Sequence, residues 1–282
     1  MTTPLYVIVP YGYFLKTRLP GLFQKISWLF VYFIPLGYLF FQFADVSSVS
    51  DYFMLIVGFL LINYVYENGY IENDIITIKK EEDPTLRLPA GDVEVLEKRL
   101  TGIFIIRFLV ILVLLAVYFF LAPGSLTFQR PLDLLILLVV LQVLYLIYNR
   151  IRNILNLLLI LPLSFIRFFG FIIPFVSERY LFSFVVMASL LYPLPKLLEF
   201  TRKDRFRLKI LSRLVGNIDA FRVKYYIGLV LLCLIIKYLY PRIYIYPYLI
   251  ISIYFFLYRG IGFLLIKNKN FLSEFKNNFG RK

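Results

Sequence analysis

Long apolar blocks, separated by short polar or proline-bearing breaks, dominate the chain. They fall at residues 26–44, 52–72, 101–121, 131–150, 154–176, 179–196, 222–240 and 243–261. Each is about as long as a helix must be to cross the hydrocarbon core of a bilayer. The breaks carry helix-stopping residues, as in Ala122-Pro123-Gly124-Ser125. The pattern predicts an all-α integral membrane protein, a bundle of about eight transmembrane helices with nine as the upper count. Residues 1–25 contain an apolar stretch too short to span, broken by Pro4, Pro10 and Pro20, and read as an interfacial segment. Residues 262–282 read as a basic tail, and the whole of 1–282 as one transmembrane domain.

The connections give the bundle a direction. One alternate set, 45–51, 122–130 and 177–178, carries only Arg130 among basic residues. The other set has Lys16, Arg18 and Lys25, then Lys79, Lys80, Arg87, Lys98 and Arg99, then Arg150 and Arg152, then the run from Arg202 to Arg213. Excess Lys and Arg marks the cytoplasmic side. Both termini and the two long connections, 73–100 and 197–221, are therefore expected in the cytoplasm, with the chain in a bacterial inner membrane. Long polar connections gathered on one face are where a site is usually built.

Composition narrows the chemistry. The 282 residues are 61% hydrophobic and 19% aromatic, with a mean hydropathy of +0.79. Histidine is absent and Cys233 is the one cysteine, so an internal disulfide, a cysteine zinc site and histidine catalysis are all excluded. The net charge of +14 fits basic anchors on anionic lipid, with a phosphate site as the sharper alternative. No basic stretch sits on a soluble domain, so no nucleic-acid partner is expected.

Three groups of residues carry candidate chemistry. Glu67, Asp74 and Glu81 recur every seven residues at the end of the second block, which returns them to within about 20° on a helix. Asn63 extends the stripe inward, and Pro84-Thr85 marks its stop. Carboxylates this close to hydrocarbon need a cation or a watery cavity, and clustered carboxylate oxygens suit Mg2+. In the second group, Tyr148, Arg150 and Arg152 close the fourth block. Arg167 lies inside the fifth, too deep to snorkel, and should meet an anion in the bundle interior. Arg107, nearer an end of its block, is one that snorkelling would satisfy. The third group is Lys196 and Glu199, at the end of the sixth block.

In this order, these groups resemble the UbiA superfamily of intramembrane prenyltransferases. That family carries Asn-Asp-x-x-Asp-x-x-x-Asp after its second span. Asn73 and Asp74 match it, Thr77 stands where the next Asp is expected, and Glu81 stands for the last. Pro84-Thr85-x-Arg87 resembles the continuation of that motif, Tyr148-x-x-x-Arg152 a Tyr-x-x-x-Lys pattern, and Arg167-x-x-Gly170 an Arg-x-x-Gly pattern. Lys196-x-x-Glu199, in place of a second Asp-rich motif, is nearest the branch that transfers phosphoribose to polyprenyl phosphate, as is Tyr70-x-x-Asn73-Asp74.

The resemblance implies a transferase that moves a prenyl group from a Mg2+-bound isoprenoid diphosphate to an acceptor. Asn73, Asp74 and Glu81 would be metal-side ligands. Glu67, which the family pattern does not ask for, is expected from the seven-residue stripe to supply the charge missing at Thr77. Asp74, Glu81 and Arg167 would be the catalytic groups. Asn73, Arg87, Tyr148, Arg152, Arg167, Lys196 and Glu199 would line the substrate site. The alternatives are phosphoribosyl transfer to a polyprenyl phosphate, a non-catalytic polyprenyl-phosphate binder, and a lipid transporter. Membrane lipids are expected partners, and a homo-oligomer remains open.

Overall fold

A computed structural model describes residues 4–80, 86–122, 129–151, 153–203, 206 and 208–267, excluding the Lys80 side chain. The helices are α1 (Gly12–Thr17), α2 (Leu22–Phe43), α3 (Val49–Ile75), α4 (Ala90–Lys98), α5 (Leu100–Phe120), α6 (Gln129–Arg150), α7 (Leu155–Phe169), α8 (Glu178–Leu191), α9 (Pro193–Phe200), α10 (Lys209–Val215), α11 (Ile218–Leu239) and α12 (Tyr246–Lys267). Among the described residues there is no strand, only an isolated bridge between Ala44 and Val176.

Six helical stretches among the described residues are long and apolar enough to cross a membrane. They are Leu22–Phe43, Val49–Lys79, Leu100–Phe120, Gln129–Arg150, Glu178–Phe200 and Tyr246–Lys267. At 1.5 Å per residue, a helix of this length reaches about 33 Å, the thickness of the hydrocarbon core. Side chains that water would reject face outward: Phe120 is 88% exposed and Phe182 83%. Polar groups are turned inward, with Glu67, Asp74, Arg107, Asn149, Asn156 and Arg167 all buried. Such a distribution belongs to an all-α membrane protein, in which lipid covers the apolar face.

The chain divides into two compact units. The first comprises residues 1–20, 44–159 and 166–177, and the second residues 21–43, 160–165 and 178–282. In the first, α3 is the central element, packed on α5 and α6. Its start is fixed by a capping box: the Asp51 N–H donates to Ser48 Oγ at 3.3 Å, and the Ser48 N–H donates to the Asp51 carboxylate at 3.0 Å. Arg130 pairs with that carboxylate and donates to the Asp45 carbonyl at 2.6 Å. Residues 4–20 form a 3-10 turn followed by α1. Val7 and Tyr13 there are fully buried, in a cluster with Ile71, Ile75, Leu96 and Ile103.

The second unit is built on the α11–α12 hairpin. Aromatic hydroxyls tie its helices through backbone carbonyls that are spare at bends or helix ends. Tyr192 donates to Val31, Tyr225 to Leu190 and Tyr226 to Leu191, at 2.6, 2.6 and 2.8 Å.

The approach of α3 to α6 depends on Gly69. A Cβ built there would lie 2.1–2.3 Å from the Tyr145 ring, far inside van der Waals contact. Gly69→Ala is expected to destabilise the protein by about 1–3 kcal/mol through overpacking, read as a lowered unfolding midpoint in detergent. A variant that unfolds with the wild type would show that the two helices can separate freely.

Candidate functional site

The polar cluster lies in the first unit, along one face of α3. Asn63, Glu67 and Asp74 are all buried there. The stripe inferred from their spacing is thus present as far as residue 74, and Glu81 lies outside the described residues. After Ile75 the chain tightens into a 3-10 turn, Thr77–Lys80. The Thr77 hydroxyl donates to the Asn73 carbonyl at 3.1 Å and to Asn73 Oδ1 at 3.0 Å. This side chain thereby supports the helix terminus.

Glu67 is the deeper of the two acids. It accepts a hydrogen bond from the Phe14 N–H at 2.8 Å and meets Arg107 Nη2 at 3.3 Å. Arg107 does not snorkel, contrary to the expectation from its position in the block: its side chain has no solvent exposure. Its guanidinium donates to Asn68 Oδ1 at 2.5 Å and to the carbonyls of Val7 and Tyr64, both at 2.6 Å. The Cζ atom rests 3.7 Å from the centroid of the Tyr64 ring. Every face of this cation is therefore occupied by protein, and it joins the N-terminal segment to α3 and α5.

Asp74 sits two turns further along. Tyr13 donates to Oδ2 at 2.9 Å, and Arg18 reaches both oxygens, Nη1 to Oδ2 at 2.7 Å and Nη2 to Oδ1 at 3.1 Å. Arg87 adds a bond to Oδ1 at 3.1 Å, and Asn73 Nδ2 one at 3.3 Å. Burial first, and then the charge of Asp74, push the Tyr13 hydroxyl well above the ordinary phenol range, so it stays protonated and donates. Burial is the largest single influence and lowers the Arg18 pKa, but the hydrogen bond to Asp74 together with the charges of Tyr70, Asp74 and Tyr13 outweighs it, and the net shift is upward. Sequence reading missed Tyr13 and placed Arg18 only among the basic anchors.

Aromatic rings form the adjoining wall. Arg167, buried near the end of α7, donates to the Tyr70 hydroxyl and lies 4.6 Å from the Phe14 ring centroid and 4.5 Å from that of Tyr66. Tyr70 is shared: Arg18 Cζ lies 4.1 Å from its centroid and Arg167 Cζ 5.4 Å. Tyr145 packs edge-on against Tyr66 and Tyr70, and Tyr148 in turn against Tyr145. Asn149, which the sequence did not single out, donates to the Gly69 carbonyl at 3.2 Å and to Glu72 Oε2 at 2.9 Å. Gly170 ends α7 where a Cβ would meet the Ile166 carbonyl at 2.5 Å and Ile62 Cδ1 at 3.2 Å.

The structure thus brings together Glu67, Asn73, Asp74, Arg87 and Arg167 in one unit, with Tyr148 at the edge of the same aromatic wall. Arg152 lies outside the described residues. Lys196 and Glu199 are on α9 of the second unit, where Glu199 takes a bidentate pair from Arg222, 2.5 Å to Oε1 and 2.8 Å to Oε2.

The donor set does not make a ready cage for a divalent cation. Among the described residues no three Asp, Glu, Cys or His side chains gather, and both buried acids of the stripe already face guanidinium groups. Comparison with protein-family models, curated proteins and solved structures finds no match.

Removing one partner of a buried ion pair strands the other charge, at a cost of about 3–5 kcal/mol. Arg107→Met and Glu67→Gln are each expected to destabilise the protein on that scale. The double variant should lose clearly less than the sum, because neither charge is then stranded. Additive losses in a detergent unfolding cycle would mean that the pair is not coupled.

Proposed function

We propose that the chain is a membrane-embedded transferase of UbiA type, moving a prenyl group from an isoprenoid diphosphate to an acceptor. The observation that carries this reading is the cluster of Arg18, Arg87 and Arg167 about Asp74 and Tyr70, beside a wall of buried aromatic rings. Guanidinium groups match phosphate oxygens in geometry and charge. The Phe- and Tyr-rich interior suits an isoprenoid chain. As the donor's C–O bond breaks, diphosphate leaves with the bonding electrons, the prenyl carbon bonds to the acceptor, and the proton the acceptor gives up passes to the released diphosphate. Arg87 and Arg167 meet the charge gathering on the leaving oxygens, while Asp74 and Tyr70 set where the guanidinium groups point. The order of the motifs along the chain supports this reading independently of the cluster.

The remaining spans fit the same proposal. α11 has 22 residues, with Arg222, Lys224 and Lys237 toward its ends, and α7 continues through a 3-10 turn to Phe175. Counting both gives eight spans. The distribution of Lys and Arg then supports cytoplasmic termini, and the membrane proposed is a bacterial inner membrane. A second reading, a polyprenyl-phosphate binder without turnover, draws on Thr77 and on the guanidinium partners already engaging Asp74.

Purified protein supplied with Mg2+, an aromatic or lipid acceptor, and either a labelled isoprenoid diphosphate or phosphoribosyl diphosphate should release diphosphate. Arg167→Gln should cut the rate roughly 100-fold, the scale of losing one charge-stabilising donor. Consumption of phosphoribosyl diphosphate alone would move the assignment to the phosphoribosyl branch. Consumption of neither donor would remove the transferase reading.

A further inference from the structure

Asp74 offers four lone-pair positions in all. Five donor contacts already converge on them, from Tyr13, Arg18 twice, Arg87 and Asn73. A hard cation binds through carboxylate lone pairs, and here none is open without displacing one of these donors. Among the described residues, two guanidinium groups on one carboxylate also leave an excess of positive charge. Arg167 adds a third cation on the far side of Tyr70, at the ring that Arg18 covers. Glu67 is already paired with Arg107. Arg18 is nearly enclosed, with 13% of its side chain exposed, whereas Arg87 is 33% exposed and opens the cluster to an incoming group.

We infer that Arg18, Arg87 and Arg167 form a guanidinium site that takes a diphosphate group without a divalent cation, with Asp74 as the residue that positions Arg18 and Arg87. Charge complementarity selects the ligand: a cluster with surplus guanidinium and no open carboxylate recognises a polyanion directly, through paired N–H donors. Arg18 then has a role beyond membrane anchoring. The N-terminal segment that carries it becomes part of the binding site, held there by the bonds of Phe14 to Glu67 and of Val7 to Arg107. The choice of diphosphate rests on the transferase reading above; the absence of a metal requirement rests on the geometry of Asp74 alone.

The test is calorimetric titration of the full chain in neutral detergent with inorganic diphosphate and with a short isoprenoid diphosphate, each in EDTA and in Mg2+. Binding in EDTA is expected to match that in Mg2+ to within about threefold, and Arg87→Gln should weaken it at least about tenfold in EDTA, as loss of a charge-assisted contact implies. Arg18→Gln should do the same, and the exposed Arg87 variant serves if Arg18→Gln fails to fold. Equal response of both ligands to Arg87→Gln identifies the free anion as sufficient. Binding of the isoprenoid form alone, still weakened by Arg87→Gln, identifies a lipid-linked diphosphate. Binding that appears only with Mg2+, or that ignores both substitutions, overturns the inference, and diphosphate release in the same preparation would then leave the transferase reading standing. Binding of neither ligand under either condition, with no release, removes both.

Discussion

Burying Glu67 in an apolar bundle is tolerable only because Arg107 is buried against it, and much of the first unit's arrangement follows from that pairing. An ionised side chain away from water needs both an opposite charge and full hydrogen bonding. Arg107 satisfies Glu67 and then uses its remaining donors on Asn68, Tyr64 and Val7. Glu67 uses its other oxygen on the Phe14 N–H. The N-terminal segment is thereby held inside the unit, and the position of Arg18 depends on it.

A gradient runs along α3 from this sealed pair toward the more open one at Asp74. Around Glu67 the charges balance and no solvent reaches them. Around Asp74 two guanidinium groups meet one carboxylate, one of them partly exposed. The first arrangement is what a structural ion pair requires, since any surplus charge there would be stranded. The second is the arrangement proposed to take a further anion. Tyr70 joins them to Arg167 by offering its ring face to one guanidinium and its hydroxyl to another. Arg suits this task better than Lys, because its planar group can stack on a ring and still donate sideways.

Tight helix approach supports the same geometry. Gly69 lets Tyr145 close on α3, and Asn149 on α6 then reaches both the Gly69 carbonyl and Glu72. In a membrane the hydrophobic effect does not drive helices together, so small residues and interhelical hydrogen bonds carry more of the association. The second unit follows a related scheme with tyrosine hydroxyls, each bridging to a backbone carbonyl of another helix.

The sequence by itself determined the helical class, the membrane setting and the acidic stripe, because those depend on period and local composition. Glu67 and Asp74 share a face whatever surrounds them, and Arg167 is too far from either end of its block to escape the interior. The tertiary structure alone decided what these charges meet. Arg18 looked like one basic anchor among several, since its partner Asp74 is 56 residues away. Arg107 looked able to snorkel, since burial at a helix end depends on the neighbouring segments and not on the helix that carries the residue. Gly69 gave no signal at all until the Tyr145 ring was placed against it. Spacing along one helix sets which side chains share a face, but the partner of a buried charge is chosen by packing between segments distant in sequence.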